Sequence, residues 1–338
     1  MVTMSIVVPC YNEEAVLPET ARRLLELIGR LRHAGKVGAR SSVYFIDDGS
    51  KDRTWPLIEK LSRQHPAIGG VKLSRNRGHQ NALIAGLFRA PGDVVVSVDA
   101  DLQDDLNAIE EMIDAHLAGC DIVYGVRRSR CVDTMFKRFT AEAYYRVLKA
   151  MGVDVIFNHA DYRLMSRRAI EALKEFKEVN LFLRGIIPQL GFATAIVRYD
   201  RAGRFAGASK YPLMKMLALA VQGITSFSAT PLRMITATGL IVSLGTFIVT
   251  LWALFVRLFT DDAVPGWTST VVPMYFLGGI QLLSLGVIGE YLAKVYMETK
   301  KRPRYIIEKV VGGRASSLAA PAVPTSQSLA QDPQMILE

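Results

Sequence analysis

Short apolar runs alternate with amphipathic segments along the N-terminal part of the chain. The apolar runs are rich in β-branched residues, which is typical of strands buried on both faces of a sheet. They lie at 5–8, 43–46, 70–73, 94–98 and 121–124. Between them, apolar residues recur every three or four positions, which predicts helices. These helices lie at 15–31, 55–62, 81–88 and 106–117. The alternation predicts an α/β domain with a mostly parallel sheet covered on both faces.

Two long segments near the C-terminus contain no charged residue. They are 234–256, with 23 residues, and 263–289, with 27 residues. About 20 helical residues cross a hydrocarbon layer of about 30 Å, so each segment is long enough to span a membrane. The alternative is a pair of buried core helices. Because a short turn with Pro265 and Gly266 separates the segments, we interpret them as a transmembrane hairpin.

The distribution of cations predicts the orientation of this hairpin. Basic residues cluster before the first segment and after the second, whereas the turn carries only Arg257. By the positive-inside rule, both flanks are cytoplasmic. We therefore expect a multi-pass protein of the cell (inner) membrane, with the catalytic domain and both termini in the cytoplasm. The short apolar stretch 4–9 has no basic leader and is predicted to be a strand rather than a signal peptide.

These features divide the chain into five parts. The predicted parts are a catalytic domain at 1–210, an amphipathic juxtamembrane helix at 211–230, two transmembrane helices at 231–293, a basic cytoplasmic segment at 294–311 and a disordered tail at 312–338. The helix before the first span has apolar residues at helical spacing with lysines nearby, which favours a helix in the lipid headgroup layer. A core helix of the catalytic domain is the alternative for this segment.

The composition narrows the function classes. Lys and Arg number 41 against 32 Asp and Glu, which gives a net charge of +9 and a high mean hydropathy of +0.20 for so charged a chain. We assign the positive charge to membrane and phosphate contacts, because no nucleic-acid-binding module is recognisable. The three cysteines form no metal-binding or disulfide pattern, which fits a reducing compartment.

Acidic and polar residues follow three of the predicted strands. Asp48 follows the second strand, Asp99 and Asp101 follow the fourth, and Glu13 follows the first. Carboxyl ends of parallel strands meet at one edge of a sheet, so these residues are expected in one crevice. Each motif alone is also ordinary turn and N-cap chemistry. Clustered carboxylates suit Mg²⁺ or Mn²⁺ bound together with a substrate diphosphate.

Two common nucleotide-binding classes are disfavoured. The chain has no Gly-x-x-x-x-Gly-Lys-[Ser/Thr] sequence, and no Gly-x-Gly-x-x-Gly follows the first strand. A Walker-type NTPase and a dinucleotide oxidoreductase would need these loops to hold their phosphates. The acidic crevice is therefore predicted to hold a diphosphate through a bound cation rather than through a glycine-rich loop.

At these motifs the chain resembles glycosyltransferase family 2, with a nucleotide-diphospho-sugar transferase domain of GT-A type. The family resemblance is carried by Val8-Pro9-Cys10-Tyr11-Asn12-Glu13-Glu14, Asp47-Asp48-Gly49-Ser50, Arg75-Asn76-Arg77-Gly78 and Asp99-Ala100-Asp101-Leu102-Gln103-Asp104. Within the family the chain is similar to polyprenyl-phosphate glycosyltransferases, which include dolichyl-phosphate mannose synthases and bacterial GtrB-like and ArnC-like enzymes. That likeness is carried by Asp161-Tyr162-Arg163-Leu164-Met165, Arg204-Phe205-Ala206-Gly207-Ala208-Ser209-Lys210-Tyr211, Thr230-Pro231-Leu232-Arg233 and Gly289-Glu290-Tyr291. It covers about residues 4–310 and departs at Asp105-Leu106, where the family often has Pro-Pro.

The resemblance implies roles for individual residues. It places the donor nucleotide sugar at Pro9, Tyr11, Glu13, Asp48, Asp99, Ala100 and Asp101. It places catalysis at Asp99, Asp101, Gln103 and Arg127, with the metal at Asp99, Asp101 and Gln103. It places phosphates of donor and acceptor at Arg127, Arg204 and Lys210, and we add Ser209 and Arg184 to that set, with Arg128, Arg130 and Lys137 as candidate helpers. His79, His116 and His159 are interpreted as structural or peripheral.

The expected reaction is transfer of a sugar from a nucleotide diphosphate sugar to polyprenyl phosphate, with inversion at the anomeric carbon. A lipid phosphate is already ionised at pH 7, so no strong general base is required. UDP-glucose and undecaprenyl phosphate are the favoured substrates by resemblance. Other donors are a UDP-linked N-acetylhexosamine, GDP-mannose and a modified arabinose. We also expect a homo-oligomer, because glycines such as Gly278 and Gly286 allow close helix approach.

Two other functions stay open. A processive polysaccharide synthase would share the donor site, but it would need further spans and typically a Gln-x-x-Arg-Trp motif, which this sequence lacks. A catalytically inactive membrane scaffold would retain the fold without needing the acidic and basic motifs together. Binding of a nucleotide sugar with Mn²⁺ separates an enzyme from a scaffold.

Overall fold

A computed structural model describes residues 1–128, 159–179, 183–200, 230–259 and 266–313. Within these ranges, eight strands form one sheet in the order β7-β5-β6-β4-β1-β2-β3-β8. The strands are β1 (Met4–Cys10), β2 (Ser42–Asp47), β3 (Ile68–Leu73), β4 (Val94–Ser97), β5 (Ile122–Arg127), β6 (His159–Ser166), β7 (Thr194–Tyr199) and β8 (Ile307–Gly312). β6 and β8 run antiparallel to their neighbours, and the other described strands share one direction.

Helices cover both faces of this sheet. The described helices are α1 (Leu17–His33), α2 (Thr54–Gln64), α3 (His79–Arg89), α4 (Ala108–Leu117), α5 (Arg167–Lys174), α6 (Leu183–Gln189), α7 (Thr230–Phe259) and α8 (Trp267–Thr299). α1, α2 and α4 pack on one face, and α3, α5 and α6 pack on the other. Side chains of β1 alternate accordingly, with Ile6 and Val8 in the first core and Val7 in the second. The predicted α/β domain with a mostly parallel, doubly covered sheet is confirmed.

One glycine permits the close packing of α3 on the sheet. A Cβ at Gly86 would lie 2.3 Å from Val7 Cγ1 and 2.8 Å from Ile46 Cγ1. Real side chains do not approach that closely, so the helix would have to move outward. This contact fixes the height of α3 above β1 and β2, and therefore the position of its N-terminus at the edge of the sheet.

The five predicted strands and four predicted helices are all present, but the sequence analysis did not predict β6, β7, β8, α5 or α6. The prediction and the structure differ most over the predicted basic segment 294–311. α8 continues to Thr299, and β8 then pairs with β3 as an antiparallel edge strand. β8 was overlooked because its outward-facing charges, Glu308 and Lys309, obscure the apolar alternation; they form ion pairs with Lys72 and Glu59.

The two C-terminal helices have 30 and 33 residues. Among the described residues, the segment Phe276–Thr299 is long and apolar enough to cross a membrane, and Thr230–Val242 is a shorter apolar helix. α7 and α8 line a common groove, with Gly239 on one side and Gln281 and Ser284 on the other. The predicted amphipathic helix at 211–230 lies outside the described residues except for Thr230, which begins α7. The tail beyond residue 313 also lies outside them.

Candidate active site

The candidate site lies at the edge of the sheet where the parallel strands end. Asp48, Asp99, Arg127 and Tyr199 lie at or just beyond the carboxyl ends of β2, β4, β5 and β7. β6 runs the other way, so its beginning lies at this same edge and brings Asp161 into the crevice. Parallel topology thus gathers residues that are far apart in the sequence, as expected for this class of sheet.

The loop after β1 is clamped to the loop after β2. Asn12 adopts the left-handed conformation, with φ of 56°. Its backbone amide donates to Ser50 Oγ at 3.0 Å, and its side-chain oxygen accepts from the amide of Lys51 at 2.9 Å. This clamp leaves the Tyr11 ring 40% exposed at the mouth of the crevice, while Pro9 is buried within β1.

Glu13 lies on the same clamped loop. Its amide donates to Thr54 Oγ1 at 2.9 Å, at the start of α2. Its carbonyl accepts from the amide of Leu17 at 3.0 Å, where α1 begins. The Glu13 backbone therefore joins the first turns of two helices, and its side chain is half-buried.

Asp48 holds the loop between β3 and α3. One carboxylate oxygen accepts from the amide of Arg77 at 2.7 Å, and the other accepts from the amide of Gly78 at 2.9 Å. Burial raises the pKa of Asp48, and the two amides oppose that shift. Gly49 has φ of +67°, and a Cβ there would lie 2.6 Å from the carbonyl carbon of Arg75. Only glycine fits this approach of the two loops.

The loop after β4 carries the acidic motif. Asp101 accepts from the amide of Gln103 at 3.2 Å, and the carbonyl of Ala100 accepts from Thr20 Oγ1 at 3.0 Å. Leu102 takes φ of 56°, which turns the loop sharply between them. Ala100 and Gln103 are 5% and 8% exposed, so the loop is packed into the protein rather than free in solvent.

Asp99 lies near three other carboxylates. Its side chain is 38% exposed. Desolvation raises the pKa of Asp99 to about 6, and the neighbouring carboxylates of Asp104, Asp161 and Asp101 add to the shift. The nearby His79 opposes it. A cation placed among these carboxylates would relieve the repulsion.

Asp161 is surrounded by three basic side chains. Its carboxylate lies 2.5 Å from Arg163 Nη2, 3.5 Å from Arg184 Nη2 and 3.6 Å from His79 Nε2. His79 Nε2 also lies 3.6 Å from Asp99 Oδ1. The sequence analysis interpreted His79 as structural or peripheral, and the structure places it inside the crevice. In the sequence, Asp161 stood only among the motifs that carry the family resemblance. The feature that places it in the site is the pairing of β6, a strand that was not predicted from the sequence.

Arg127 belongs to a second polar group on the other side of the motif loop. Its Nε donates to Tyr199 Oη at 3.3 Å, and its Nη2 lies 3.6 Å from Asp104 Oδ1. Tyr199 Oη donates to the same Asp104 oxygen at 2.5 Å. Asp104, whose side chain is 2% exposed, thereby orients both Tyr199 and Arg127 toward the crevice. Neither Asp104 nor Tyr199 was among the predicted site residues.

The predicted site residues fall into two sets. The structure brings Pro9, Tyr11, Glu13, Asp48, Asp99, Ala100, Asp101, Gln103, Arg127 and Arg184 to the carboxyl edge. Arg204, Ser209 and Lys210 lie outside the described residues, as do Arg130 and Lys137. Arg128 is described and exposed, 3.8 Å from Asp200.

The donor set at this edge fits a divalent cation that shares its coordination with a substrate. Within the described ranges, no three His, Cys, Asp or Glu side chains are arranged as a complete metal site. Mg²⁺ and Mn²⁺ typically take one or two carboxylates together with phosphate oxygens. Asp99 and Asp101 carry carboxylate oxygens of the kind that these cations bind, and burial is the main cause of the raised pKa of Asp99.

The fold and this crevice define an α/β transferase domain with an acidic site at the carboxyl edge of its sheet. The family model for glycosyl transferase family 2 matches residues 5–174. The chain is 47% identical over 307 residues to the uncharacterized glycosyltransferase YkoT of Bacillus subtilis, covering 90% of this chain and 91% of that protein. The chain therefore belongs to glycosyltransferase family 2, and the predicted GT-A fold class agrees with that membership.

Further relatives carry more specific names. The chain is 41% identical to the prophage bactoprenol glucosyl transferase homolog of Escherichia coli over 311 residues, covering 91% of this chain and 99% of that protein. It is 40% identical to the bactoprenol glucosyl transferase of Shigella phage SfV over 309 residues, covering 90% and 98%. Among solved structures, it is similar to mannosyl-3-phosphoglycerate synthase from Rubrobacter xylanophilus, with 15% identity, a TM-score of 0.47 and coverage of 80% of each chain.

Proposed function

We propose that this protein is a membrane-bound inverting glycosyltransferase that moves glucose from UDP-glucose to polyprenyl phosphate, with undecaprenyl phosphate favoured. The observation that carries the proposal is the 40–41% identity, over nine tenths of the chain, to proteins named bactoprenol glucosyl transferases. The match covers the acidic crevice and the two C-terminal helices together. Transfer to an isoprenoid phosphate in a membrane needs such a site together with access to the membrane.

The donor is proposed to bind across the ends of β1, β2 and β4. Tyr11 offers an exposed ring for stacking against the base. Asp48 keeps acceptor capacity after its two amide bonds, since each carboxylate oxygen has two lone pairs. The diphosphate then lies toward Asp99 and Asp101, where the carboxylates collect.

Asp99 and Asp101, with Gln103 beside them, are the residues that would hold Mg²⁺ or Mn²⁺. Such a cation, when bound, would neutralise the charge that develops on the leaving diphosphate. Arg163 balances negative charge through Asp161, and His79 Nε2 lies 3.6 Å from Asp99 Oδ1. These contacts keep the carboxylates oriented, so that catalysis depends mostly on positioning and electrostatics.

The acceptor phosphate is proposed to approach from the side of Arg127 and Arg184, with Arg204, Ser209 and Lys210 as further phosphate contacts. Its ionised oxygen attacks the anomeric carbon while the bond from that carbon to the diphosphate oxygen breaks, and the nucleoside diphosphate leaves. The two arginines are oriented by Asp104 and Asp161 respectively. No proton has to be removed from the nucleophile, so none of the carboxylates needs to act as a base.

The membrane arrangement is part of the proposal. α7 and α8 form a hairpin through the bilayer, with the catalytic domain and both termini in the cytoplasm. The juxtamembrane segment 211–230 lies in the headgroup layer, and Gly278, Gly279 and Gly286 allow helices of neighbouring copies to pack closely in a homo-oligomer. This topology places the site within reach of a phosphate at the membrane surface.

The test uses the full-length protein purified in detergent with undecaprenyl phosphate and Mg²⁺ or Mn²⁺. A panel of radiolabelled UDP- and GDP-sugars is supplied, and label entering the organic phase is measured. The proposal expects one labelled lipid, made from UDP-glucose. Continued nucleotide release into a growing polymer would instead indicate a processive synthase, and neither binding nor transfer with any donor would indicate a scaffold.

A further inference from the structure

The segment that joins α8 to β8 contacts the loops that carry both halves of the site. We call residues 298–306 the strap. It begins on the last turn of the apolar helix α8 and ends where β8 pairs with β3. Although the strap is far from the crevice residues in sequence, it contacts the 176–179 loop, which precedes α6, and Ser74, which begins the loop between β3 and α3.

The strap holds the chain before α6 through two hydrogen bonds. The carboxylate of Glu298 accepts from the amide of Val179 at 2.8 Å. The guanidinium of Arg304 donates to the carbonyl of Phe176. Burial raises the pKa of Glu178, the adjacent Glu298 carboxylate adds to that shift, and Arg304 opposes it. Charged groups of the strap and of the 176–179 loop therefore lie close together in a partly buried setting.

Three residues separate this loop from the helix that carries Arg184. α6 begins at Leu183, whose amide donates to Gln80 Oε1 at 3.2 Å. Gln80 is next to His79 at the start of α3. Arg184 then reaches to 3.5 Å from Asp161. Arg184 therefore lies on a helix whose first residue is held by α3 and which follows the strap-bound loop closely in the sequence.

The other end of the strap holds the loop on the donor side. The carbonyl of Ile306 accepts from the amide of Ser74 at 2.9 Å, just after β3. The same loop then supplies the amides of Arg77 and Gly78 to Asp48. This end is additionally fixed by the pairing of β8 with β3, whereas the 176–179 loop has no strand pairing of its own among the described residues.

We propose that the strap is a positioning element that couples the membrane helix α8 to the acceptor side of the site. Glu298 and Arg304 act through the 176–179 loop and α6 to place Arg184 for the lipid phosphate. The inference rests on the proposed function, because it takes the acceptor to be a polyprenyl phosphate. It assigns the strap a role beyond attachment to the membrane, since the same contacts fix the geometry of the crevice.

The mechanism predicts an asymmetric effect. Loss of the Glu298 or Arg304 contact frees the loop before α6, whereas the donor loop stays held by strand pairing. The catalytic efficiency for lipid phosphate should then fall, while the affinity for UDP-glucose should not. If the strap were only a membrane anchor, loss of its contacts would leave kcat/KM for a short-chain, water-soluble isoprenyl phosphate in detergent unchanged.

The experiment compares full-length E298A, R304A and E298Q with E308A in detergent. Glu308 is a matched control because it is the same residue type on the adjoining strand, half exposed and paired with Lys72. Measured quantities are kcat/KM for undecaprenyl phosphate and for a short-chain isoprenyl phosphate, the Kd for UDP-glucose, and amide hydrogen exchange over 176–190. E298Q keeps an oxygen that can accept from Val179.

The expected result is a roughly tenfold loss of kcat/KM for both acceptors in E298A and R304A, the size of one hydrogen bond to a charged group. UDP-glucose affinity stays unchanged, exchange over 176–190 accelerates, and E298Q recovers most of the activity. Unchanged kcat/KM, an equal loss in E308A, or a loss confined to the long lipid would overturn the inference. An inactive wild-type protein would refute the proposed function instead. Even in that case, unchanged hydrogen exchange over 176–190 in E298A would refute the proposed positioning role of the strap.

Discussion

The proposed donor side and the proposed acceptor side of the crevice are held together in different ways. On the donor side, loops that follow β1, β2 and β3 bind one another directly, through Asn12, Asp48 and Gly49. On the acceptor side, Arg184 and Arg127 depend on partners brought in by β6, β7 and the strap. The donor side is therefore built mainly from loops that hold one another, with the strap joined to one of them at Ser74. The acceptor side is assembled from distant parts of the chain and should respond to changes far from the reacting atoms.

The strongest way to break the donor side is to remove its central carboxylate. D101A should lower transfer by about a thousandfold or more, because the site would lose a carboxylate ligand of the cation that would neutralise the leaving diphosphate. Folding should be intact, as judged by thermal unfolding, since the side chain is only half-buried. D114A, on the exposed face of α4, is the matched control and should transfer normally. Substantial turnover by D101A would exclude the metal assignment.

The second test separates the two donor loops from each other. G49A places a Cβ 2.6 Å from the carbonyl carbon of Arg75 and forces alanine to φ of +67°. We expect a loss of about 2–4 kcal/mol in the free energy of unfolding, together with weaker UDP-glucose binding. Denaturant unfolding and calorimetric titration measure the two effects. Normal stability in G49A would show that the loops can separate without cost.

The third test breaks only the acceptor side. R184A should raise the KM for undecaprenyl phosphate about tenfold, because one charge-assisted phosphate contact is lost. The Kd for UDP-glucose should stay unchanged, since Arg184 reaches the crevice through Asp161 rather than through the donor loops. Steady-state kinetics with each substrate varied in turn measures this. A parallel weakening of donor binding would mean that the two sides are one unit.

The fourth test uses pH to probe the boundary between the two sides. Asp99 has a pKa of about 6 against an ordinary 3.8, so its protonation should compete with Mn²⁺ below pH 6, with affinity falling about tenfold per unit. The raised value also means that ionisation is less favourable in the folded protein than in the unfolded chain. The contribution of Asp99 to stability without metal therefore decreases as the pH rises from 3.8 toward 6.

Mn²⁺ titrations followed by electron paramagnetic resonance, together with thermal unfolding of the metal-free protein, measure both effects. D99N should remove this step from the pH dependence of unfolding. A Mn²⁺ affinity that stays constant between about pH 5 and about pH 7 would contradict the assignment of Asp99 as a ligand of the cation.

The smallest expected effect concerns a residue that supports the fold and lies away from the site. Ser166 ends β6, and its Oγ accepts from the amide of Ala169 at 3.2 Å, which caps α5, and donates to Asp121 Oδ1 at 2.8 Å. S166A should cost about 1 kcal/mol in the free energy of unfolding. Transfer should be unchanged, because the cap lies at the opposite end of β6 from Asp161. Chemical denaturation and the transfer assay test these two statements, and a loss of activity would mean that β6 transmits strain along its length.

The sequence allowed the donor side to be predicted because its signals are local. Buried strands of β-branched residues followed by acidic turns indicate both the sheet and the edge at which Asp48, Asp99 and Asp101 meet. Part of the acceptor side was not predicted, because β6 and β7 lack a long apolar run. Which strands they pair with depends on contacts between distant parts of the chain. Asp161 and Tyr199 become site residues only once β6 runs antiparallel and β7 lies beside β5.

The C-terminal segment shows the same limit more strongly. Its basic residues near the predicted spans favoured a segment outside the catalytic domain, and the strand β8 was not predicted. Lys309 and Glu308 face outward at an edge strand, where charged side chains are usual. Contact with β3, which is hundreds of residues away in the chain, decides the conformation, and no local pattern could indicate it.

The most direct measurement of the central claim is mass spectrometry of the lipid formed from isotope-labelled UDP-glucose and undecaprenyl phosphate. Wild-type protein and D101A would be compared in the same detergent with Mg²⁺ or Mn²⁺. We predict that the wild type adds one labelled hexosyl unit to the lipid phosphate and releases one UDP, and that D101A forms no such product. Successive additions to one lipid, or no lipid product from the folded wild type with any sugar of the panel, would contradict it.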